Sequence, residues 1–131
     1  MSGPRVLLAD DHSFLLKAVA ALLCESCKVV GVVSDGAALV SEAIRLNPDV
    51  IVTDITMPVL SGIDAVRQIK ESGSKARIVI LTVHSEDEFV KTCLAEGALG
   101  YVHKSRMKAH LIPAIQEAFD GRSYISLPRS D

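Results

Sequence analysis

Apolar residues along the chain alternate between short continuous runs and longer amphipathic stretches. The continuous runs are rich in Val, Ile and Leu, which is typical of parallel strands that are buried on both faces. They lie at residues 6–9, 29–33, 50–53, 78–82 and 100–102. The amphipathic stretches repeat apolar residues every three or four positions, which indicates helices. These helices are predicted at residues 12–26, 37–46, 63–71, 86–95 and 107–119.

Glycine and proline mark several of the predicted ends. Pro48 ends the second helix, because proline disfavours helical backbone in the residue before it. Gly97 is typical of the residue that follows a helix. Pro113 lies inside the last predicted helix, where it lacks the N–H that would donate to residue 109. That helix therefore either begins late, near Ala109, or bends at the proline.

Alternation of apolar strands with helices predicts an α/β fold with a parallel sheet covered on both sides. We expect a flavodoxin-like, doubly wound (βα)5 arrangement with strand order 2-1-3-4-5. Residues 1–131 are expected to form a single domain with its core at about 5–121, and residues 122–131 to begin a linker or tail. In this strand order, strands 1 and 3 are neighbours at the point where ligands bind, beyond the carboxyl ends of the strands.

Composition narrows the classes of function. The chain has 131 residues, of which 49% are hydrophobic and only 4% aromatic, so the core is expected to be aliphatic. Its formal net charge of −2 does not favour direct binding of nucleic acid, which needs cationic side chains on phosphates. Apolar runs of the length that crosses a membrane, about 18 residues, are lacking. We therefore expect a cytoplasmic location, without membrane contact.

The cysteines do not indicate a disulfide framework. There are three of them, an odd number, and Cys24 and Cys27 form a CxxC pair. Such a pair could be redox-active or form half of a zinc site. A second Cys or His pair at ligand spacing is lacking, so ordinary free thiols are favoured.

Polar residues that can carry chemistry follow the predicted strands. Asp10 and Asp11 follow strand 1, Asp54 follows strand 3, Thr82 ends strand 4 and Lys104 lies just beyond strand 5. The fold brings these strand ends to one rim. Carboxylates crowded at neighbouring strands repel one another unless a cation neutralises them. A hard cation with oxygen ligands, such as Mg²⁺, fits this set.

The same positions carry a family resemblance over about residues 5–121. The chain resembles the receiver domain of two-component response regulators, and its ending Gly-Arg-Ser-Tyr-Ile-Ser is similar to that of the NarL/LuxR-type subfamily. The motifs that carry the resemblance are Asp10-Asp11-His12, Asp54-Ile55-Thr56-Met57-Pro58, Gly62, Asp64, Leu81-Thr82-Val83-His84, Gly100-Tyr101-Val102-His103-Lys104-Ser105 and 121–126.

The resemblance implies roles for the carboxylates. Asp54 would be the phosphate acceptor. Asp11, Asp54 and the backbone carbonyl of Thr56 would ligate Mg²⁺, for which Mn²⁺ could substitute. Asp10 would support the ion through water. The chain would catalyse its own phosphorylation and dephosphorylation without being a turnover enzyme.

The resemblance also implies a switch and partners. Lys104 would pair with the acceptor, Thr82 would hydrogen-bond a phosphoryl oxygen, and Tyr101 would swing inward as Thr82 moves. A sensor histidine kinase would be the donor. Homodimers would form through the helix 4–strand 5–helix 5 face or through helices 1 and 5. DNA would be bound only by a C-terminal helix-turn-helix domain that this chain lacks.

Other interpretations stay open for three residues. Tyr101 could be a half-buried core residue with its hydroxyl in water. His84 and His103 have no carboxylate at ligand spacing, which favours plain surface histidines. Receiver domains, which the chain resembles, favour a small residue where this chain has Val83. We therefore expect small donors to phosphorylate the wild type more slowly than Val83→Ala.

Two other classes of function are disfavoured by the sequence. A phosphatase of the haloacid dehalogenase kind also uses an Asp nucleophile, but it would need an acid where this chain has Thr56. A nucleotide- or flavin-binding module would show a glycine-rich loop after strand 1, and none is present. A receiver that is never phosphorylated is disfavoured because all five site positions are filled.

Overall fold

A six-stranded, wholly parallel sheet forms the centre of the computed structural model, which describes residues 3–128. The strand order is β2-β1-β3-β4-β5-β6. The strands are β1 (Arg5–Ala9), β2 (Lys28–Val33), β3 (Val50–Thr53), β4 (Arg77–Thr82), β5 (Gly100–His103) and β6 (Tyr124–Ser126). The first five follow the predicted order 2-1-3-4-5, so the predicted flavodoxin-like fold is confirmed.

Five helices cover the two faces of the sheet. They are α1 (Ser13–Leu23), α2 (Gly36–Leu46), α3 (Gly62–Glu71), α4 (Asp87–Ala95) and α5 (Met107–Phe119), and a 3-10 turn over Lys104–Arg106 precedes α5. Apolar side chains of α1 and α5 form one core with alternate strand residues, and those of α2, α3 and α4 form the other. Burial on both faces explains why β1, β3, β4 and β5 read as continuous apolar runs, whereas β2 lies at the edge of the sheet and is only partly buried. Among the described helices, none is long and apolar enough to cross a membrane.

Two details differ from the predictions. The sixth strand, β6, lies within the residues expected to begin a linker or tail, and its Tyr124 N–H donates to the carbonyl of Leu99 at 2.9 Å. Three residues are too few for a recognisable apolar run. Helix α5 begins at Met107 and continues through Pro113, so the alternative of a late start near Ala109 is wrong.

All three cysteines are free, as predicted for ordinary thiols. Cys24 is exposed, whereas Cys27 is buried. Burial raises the pKa of the Cys27 thiol, which disfavours the reactive thiolate. The CxxC pair therefore gives no support to redox chemistry.

The sheet has two edges, named here by the strand ends that meet there. The carboxyl edge carries the loops from strand to helix, and the amino edge carries the turns from helix to strand. At the amino edge, α2, α3, α4 and α5 are each followed by a residue with positive φ. These residues are Asn47, Gly73, Gly97 and Gly121. Glycine and asparagine accept that backbone region readily, so these helix ends are regular.

Candidate functional site

A largely buried lysine joins two carboxylates at the carboxyl edge. Asp10 follows β1, Asp54 follows β3 and Lys104 follows β5. The Lys104 Nζ lies 2.9 Å from Asp54 Oδ2 and 2.9 Å from Asp10 Oδ2. The side chains of Lys104, Asp54 and Asp10 are only 13%, 6% and 5% exposed, respectively. The strand ends thus bring residues 10, 54 and 104 into direct contact, as the sequence predicted.

The backbone around Asp54 fixes its carboxylate. The Asp54 N–H donates to the Ala9 carbonyl at 3.1 Å, and the Ile55 N–H donates to Asp54 Oδ1 at 2.6 Å. Gly62 packs against this turn so closely that a Cβ there would lie 1.9 Å from the Asp54 carbonyl oxygen. Only glycine fits at that position. Asp54 is therefore held with one oxygen on a backbone N–H and the other on Lys104.

The carboxylates outnumber the cation. Asp10 Oδ2 is buried and lacks a well-directed hydrogen-bond donor among residues 3–128, although Lys104 lies at ion-pair distance. Asp11 lies at the mouth of the same pocket with its side chain 36% exposed. Three carboxylates thus share one lysine, and crowded carboxylates repel one another unless a further cation neutralises them. The donor set, all oxygens and mainly carboxylate, fits Mg²⁺.

Lys104 is held in its charged form. Burial by itself lowers the pKa of this amine, but the ion pairs with Asp10 and Asp54 outweigh burial. The pKa of Lys104 therefore lies above its ordinary value of 10.5. A permanent ammonium beside Asp54 can neutralise negative charge that develops there.

His12 belongs to the pocket, although the sequence reading gave it no role. Its Nδ1 lies 3.0 Å from Asp10 Oδ1 and 3.1 Å from Asp11 Oδ1. One ligand atom from each of Asp10, Asp11, His12 and Asp54 can be chosen so that all lie within 4.8 Å of one another. The only sequence signal was its place directly after the two aspartates, at the cap of a helix.

Thr82 and Tyr101 are both tied to the backbone of His84. The His84 N–H donates to Thr82 Oγ1 at 3.3 Å, and the Tyr101 hydroxyl donates to the His84 carbonyl at 2.8 Å. Tyr101 is fully buried, so the alternative of a half-buried tyrosine with its hydroxyl in water is wrong. Its side chain already points inward, and the predicted inward swing stays a prediction.

The two histidines flanking the site have structural contacts. The ring of His84 stacks on Phe89 with centroids 4.3 Å apart, and its Nε2 lies 3.1 Å from Thr56 Oγ1. His103 Nε2 lies 2.9 Å from the Val83 carbonyl oxygen. They are thus more than plain surface residues. Thr56 is exposed, and the predicted metal ligation by its carbonyl stays a prediction.

Val83 lies at the rim of the pocket. Its side chain is 60% exposed. Together with His12, Phe14, Leu15 and Lys104 it lines an open, largely apolar cavity of about 480 Å³. The expectation that Val83 narrows access to Asp54 stays a prediction.

The loop between β3 and α3 contains a strained residue. Val59 has φ of +72°, a region that β-branched side chains rarely adopt. The Leu60 N–H donates to the Pro58 carbonyl at 2.8 Å, which closes a three-residue γ-turn around Val59. The carbonyl of Leu60 is in turn so close to Gly36 that a Cβ there would lie 1.9 Å from it. Backbone strain is thus placed in the loop that follows Asp54.

Comparison with known proteins defines the class of this fold and site. The family model "Response regulator receiver domain" matches residues 6–116. The chain belongs to this family, a class of two-component signalling domains, as its residues had indicated. Response regulator GacA from Pseudomonas viridiflava is 35% identical over 124 residues, which are 93% of this chain and 58% of GacA. The chain therefore spans a little over half the length of that relative.

Solved structures of the NarL/LuxR type share the fold. The signal receiver domain of the response regulator NarL from Mycobacterium tuberculosis has a TM-score of 0.88 and 27% identity, covering 93% of this chain and 100% of that one. A LuxR-family response regulator from Aurantimonas sp. SI85-9A1 has a TM-score of 0.89 and 33% identity, covering 94% and 89%. Both similarities extend across the site described above.

Proposed function

We propose that this receiver domain takes a phosphoryl group onto Asp54 from a sensor histidine kinase in a reaction that depends on Mg²⁺. The observation that carries the proposal is the buried pair of Asp54 and Lys104, 2.9 Å apart, beside two further aspartates. Membership of a two-component family implies the kinase as donor.

The chemistry requires little of the protein beyond position and charge. A carboxylate oxygen of Asp54 forms a bond to phosphorus while the bond from phosphorus to the donor's imidazole nitrogen breaks. Lys104 offsets charge on the equatorial oxygens of the group in transfer. Asp11, Asp54 and the Thr56 carbonyl would hold Mg²⁺ or Mn²⁺, with Asp10 acting through water. When bound, the ion supplies charge neutralisation at those same oxygens.

His84 offers a route from the phosphoryl group to the output surface. An acyl phosphate adds nearly two negative charges at Asp54. The Thr82 hydroxyl can donate a hydrogen bond to a phosphoryl oxygen. When the Thr82 side chain moves toward that oxygen, its contact with the His84 N–H is disturbed. Since Tyr101 holds the His84 carbonyl and Phe89 of α4 stacks on its ring, the change reaches α4 and β5. We therefore place the switch on the face formed by α4, β5 and α5.

The location, dimerisation and regulatory role of the protein are proposed from its family and its relatives. We expect a cytoplasmic protein that turns over no separate substrate, dimerises through the α4–β5–α5 face or through α1 and α5, and controls transcription through a helix-turn-helix domain. The LuxR-family neighbour and the greater length of GacA support a regulator with a further domain. The net charge of −2 agrees with DNA contact lying outside this chain.

The first experiment is intact-mass measurement after incubation with acetyl phosphate. We expect a single phosphate-sized gain with Mg²⁺, none with EDTA and none in Asp54→Asn. Asp64→Asn is the matched control, because its carboxylate lies on α3 and pairs with Arg67 at 2.8 Å. It should be phosphorylated normally. Sustained release of phosphate from phosphate esters, without phosphorylated protein, would instead favour the phosphatase.

A further inference from the structure

The ring of His12 is 66% exposed, but its Nδ1 side lies against the acidic pocket. Its backbone N–H donates to Asp10 Oδ1 at 3.0 Å, which fixes the start of α1 against the pocket. Its Nδ1 lies 3.0 Å from Asp10 Oδ1 and 3.1 Å from Asp11 Oδ1. An imidazole nitrogen therefore lies between two carboxylates that follow β1.

The spacing of the ligand atoms suits one metal ion. One atom each from Asp10, Asp11, His12 and Asp54 fall within 4.8 Å of one another. Ligands of a single small cation lie about 3–4.5 Å apart when each is about 2.0–2.2 Å from the ion. Lys104 Nζ lies 2.9 Å from Asp10 Oδ2, so the pocket holds three carboxylates against one lysine, an excess of negative charge that a metal ion would offset.

We propose that His12 contributes Nδ1 as a ligand, so that the site binds Mn²⁺ more tightly relative to Mg²⁺ than its oxygen ligands alone would. This inference rests on the proposed function, whose metal site it refines. Mg²⁺ prefers oxygen ligands and gains little from imidazole, whereas transition metals accept nitrogen readily. Ligation uses the lone pair of Nδ1, which is available in the neutral imidazole tautomer that carries its proton on Nε2.

The decisive variant is His12→Asn. Asparagine removes the imidazole but is among the preferred residues at the cap of a helix, the position that His12 holds on α1. The matched control is His110→Asn, which removes an imidazole from α5. His110 contacts Arg106 and Tyr124 at 3.0 Å and 2.7 Å. Circular dichroism and thermal unfolding verify that each variant folds.

The experiment is electron spin-echo envelope modulation of the protein loaded with Mn²⁺, together with titrations of Mn²⁺ and of competing Mg²⁺. Wild type and His110→Asn should show modulation from a directly bound ¹⁴N nucleus, and His12→Asn should not. The Mn²⁺ dissociation constant should rise roughly tenfold in His12→Asn, the scale expected for losing a group that shapes a metal site. The Mg²⁺ constant should change less than about twofold, since Mg²⁺ takes oxygen ligands.

Three outcomes would overturn the inference. They are bound Mn²⁺ without ¹⁴N modulation in wild type, unchanged affinities in His12→Asn, and tighter binding of both ions, which would make His12 a competitor of the metal. Failure of the proposed function has a different signature. In that case Asp11→Asn would leave both dissociation constants unchanged, or neither ion would bind wild type at all.

Discussion

At the amino edge of the sheet two arginines donate to backbone carbonyls, whereas at the carboxyl edge a lysine pairs with two carboxylates. The guanidinium of Arg5 donates to the carbonyls of Leu46 and Asn47 at 2.9 Å and 2.8 Å, at the end of α2. Arg77 donates to the Ala118 carbonyl at 3.0 Å, at the end of α5. Lys104, at the opposite edge, is shared between Asp10 and Asp54.

This difference separates structural charge from functional charge. The arginines donate to carbonyls at helix ends that would otherwise lack partners. The guanidinium groups and the carbonyls thus both have hydrogen-bond partners. The acidic pocket holds three carboxylates against one lysine and is short of positive charge. A region that the fold leaves incompletely paired is the one that can gain from a ligand.

Backbone strain is divided in the same way. Positive φ falls on Asn47 and on glycines at the amino edge, where it costs little. At the carboxyl edge it falls on Val59, for which it is costly. Positive φ therefore costs little at the amino edge, whereas the carboxyl edge accepts strain in the loop that follows Asp54.

The largest effect is expected at Lys104. Replacing it with Met leaves Asp10 and Asp54 buried without their shared cation, so the free energy of unfolding should fall by about 3 kcal/mol in EDTA. Mg²⁺ should restore part of the loss. Urea unfolding measures both quantities, with Lys108→Met on the exposed side of α5 as the control. Equal stability of Lys104→Met and wild type in EDTA would contradict the pairing.

The same variant tests the sign of the pKa shift. Because the pKa of Lys104 is raised, its stabilising effect is fully present below its ordinary value of 10.5 and is lost as the pH rises beyond that value. The stability difference between wild type and Lys104→Met should therefore shrink only above this pH. A difference that shrinks already at neutral pH would show that the amine is not held charged.

At the amino edge the expected effect is smaller and independent of metal. Arg5→Met should lower the free energy of unfolding by about 1.5 kcal/mol, since two carbonyls at the end of α2 lose a charged donor. Mg²⁺ should not alter this loss. Arg45→Met is the matched control, because Arg45 pairs with Glu42 on the surface of α2. A loss that Mg²⁺ recovers would erase the distinction between the two edges.

Replacing Asp11 should change the free energy of unfolding in the opposite direction from replacing Lys104 or Arg5. Asp11→Asn removes one of three crowded carboxylates, so it should raise the free energy of unfolding in EDTA by about 1 kcal/mol. It should also abolish the stabilisation that Mg²⁺ gives wild type. Thermal unfolding with and without Mg²⁺ measures both. If Asp11→Asn destabilises the metal-free protein, the pocket is not short of positive charge.

The smallest effect concerns Val59. Val59→Gly relieves the strained φ but adds freedom to the unfolded chain, leaving a net gain of about 0.5 kcal/mol. Asn47→Gly, its counterpart at the amino edge, should gain nothing because asparagine already tolerates positive φ. Paired urea unfolding curves compare the two. A gain at Asn47 as large as that at Val59 would remove the contrast in strain.

The amino edge and the sheet could be predicted because local residues determine them. The apolar runs mark five strands, and Pro48 and Gly97 mark helix ends through their own backbone preferences. Asp54 and Lys104 could be placed together because parallel strands bring their carboxyl ends to one rim. What could not be predicted depends on contacts between distant residues: β6 is defined by pairing with β5, and His12 by the direction in which its ring folds.

The strained backbone of Val59 and the contacts of His84 could not be predicted either, because they also depend on distant residues. Positive φ at Val59 follows from closure of the loop against Gly36, which lies 23 positions away along the chain. His84 meets Thr56 from the far side of the pocket. Neither pairing has a local sequence signal. The functional edge is thus the part of this fold where sequence patterns are least informative and geometry most so.

The most direct measurement of the central claim is the location of the phosphoryl group. After reaction with acetyl phosphate and Mg²⁺, borohydride converts an acyl phosphate on aspartate to homoserine, and peptide mass spectrometry finds the converted residue. The account predicts homoserine at position 54 alone, absent in EDTA and absent in Lys104→Met at equal reaction time. Conversion at Asp10 or Asp11 with Asp54 unmodified, or equal conversion in EDTA, would contradict it.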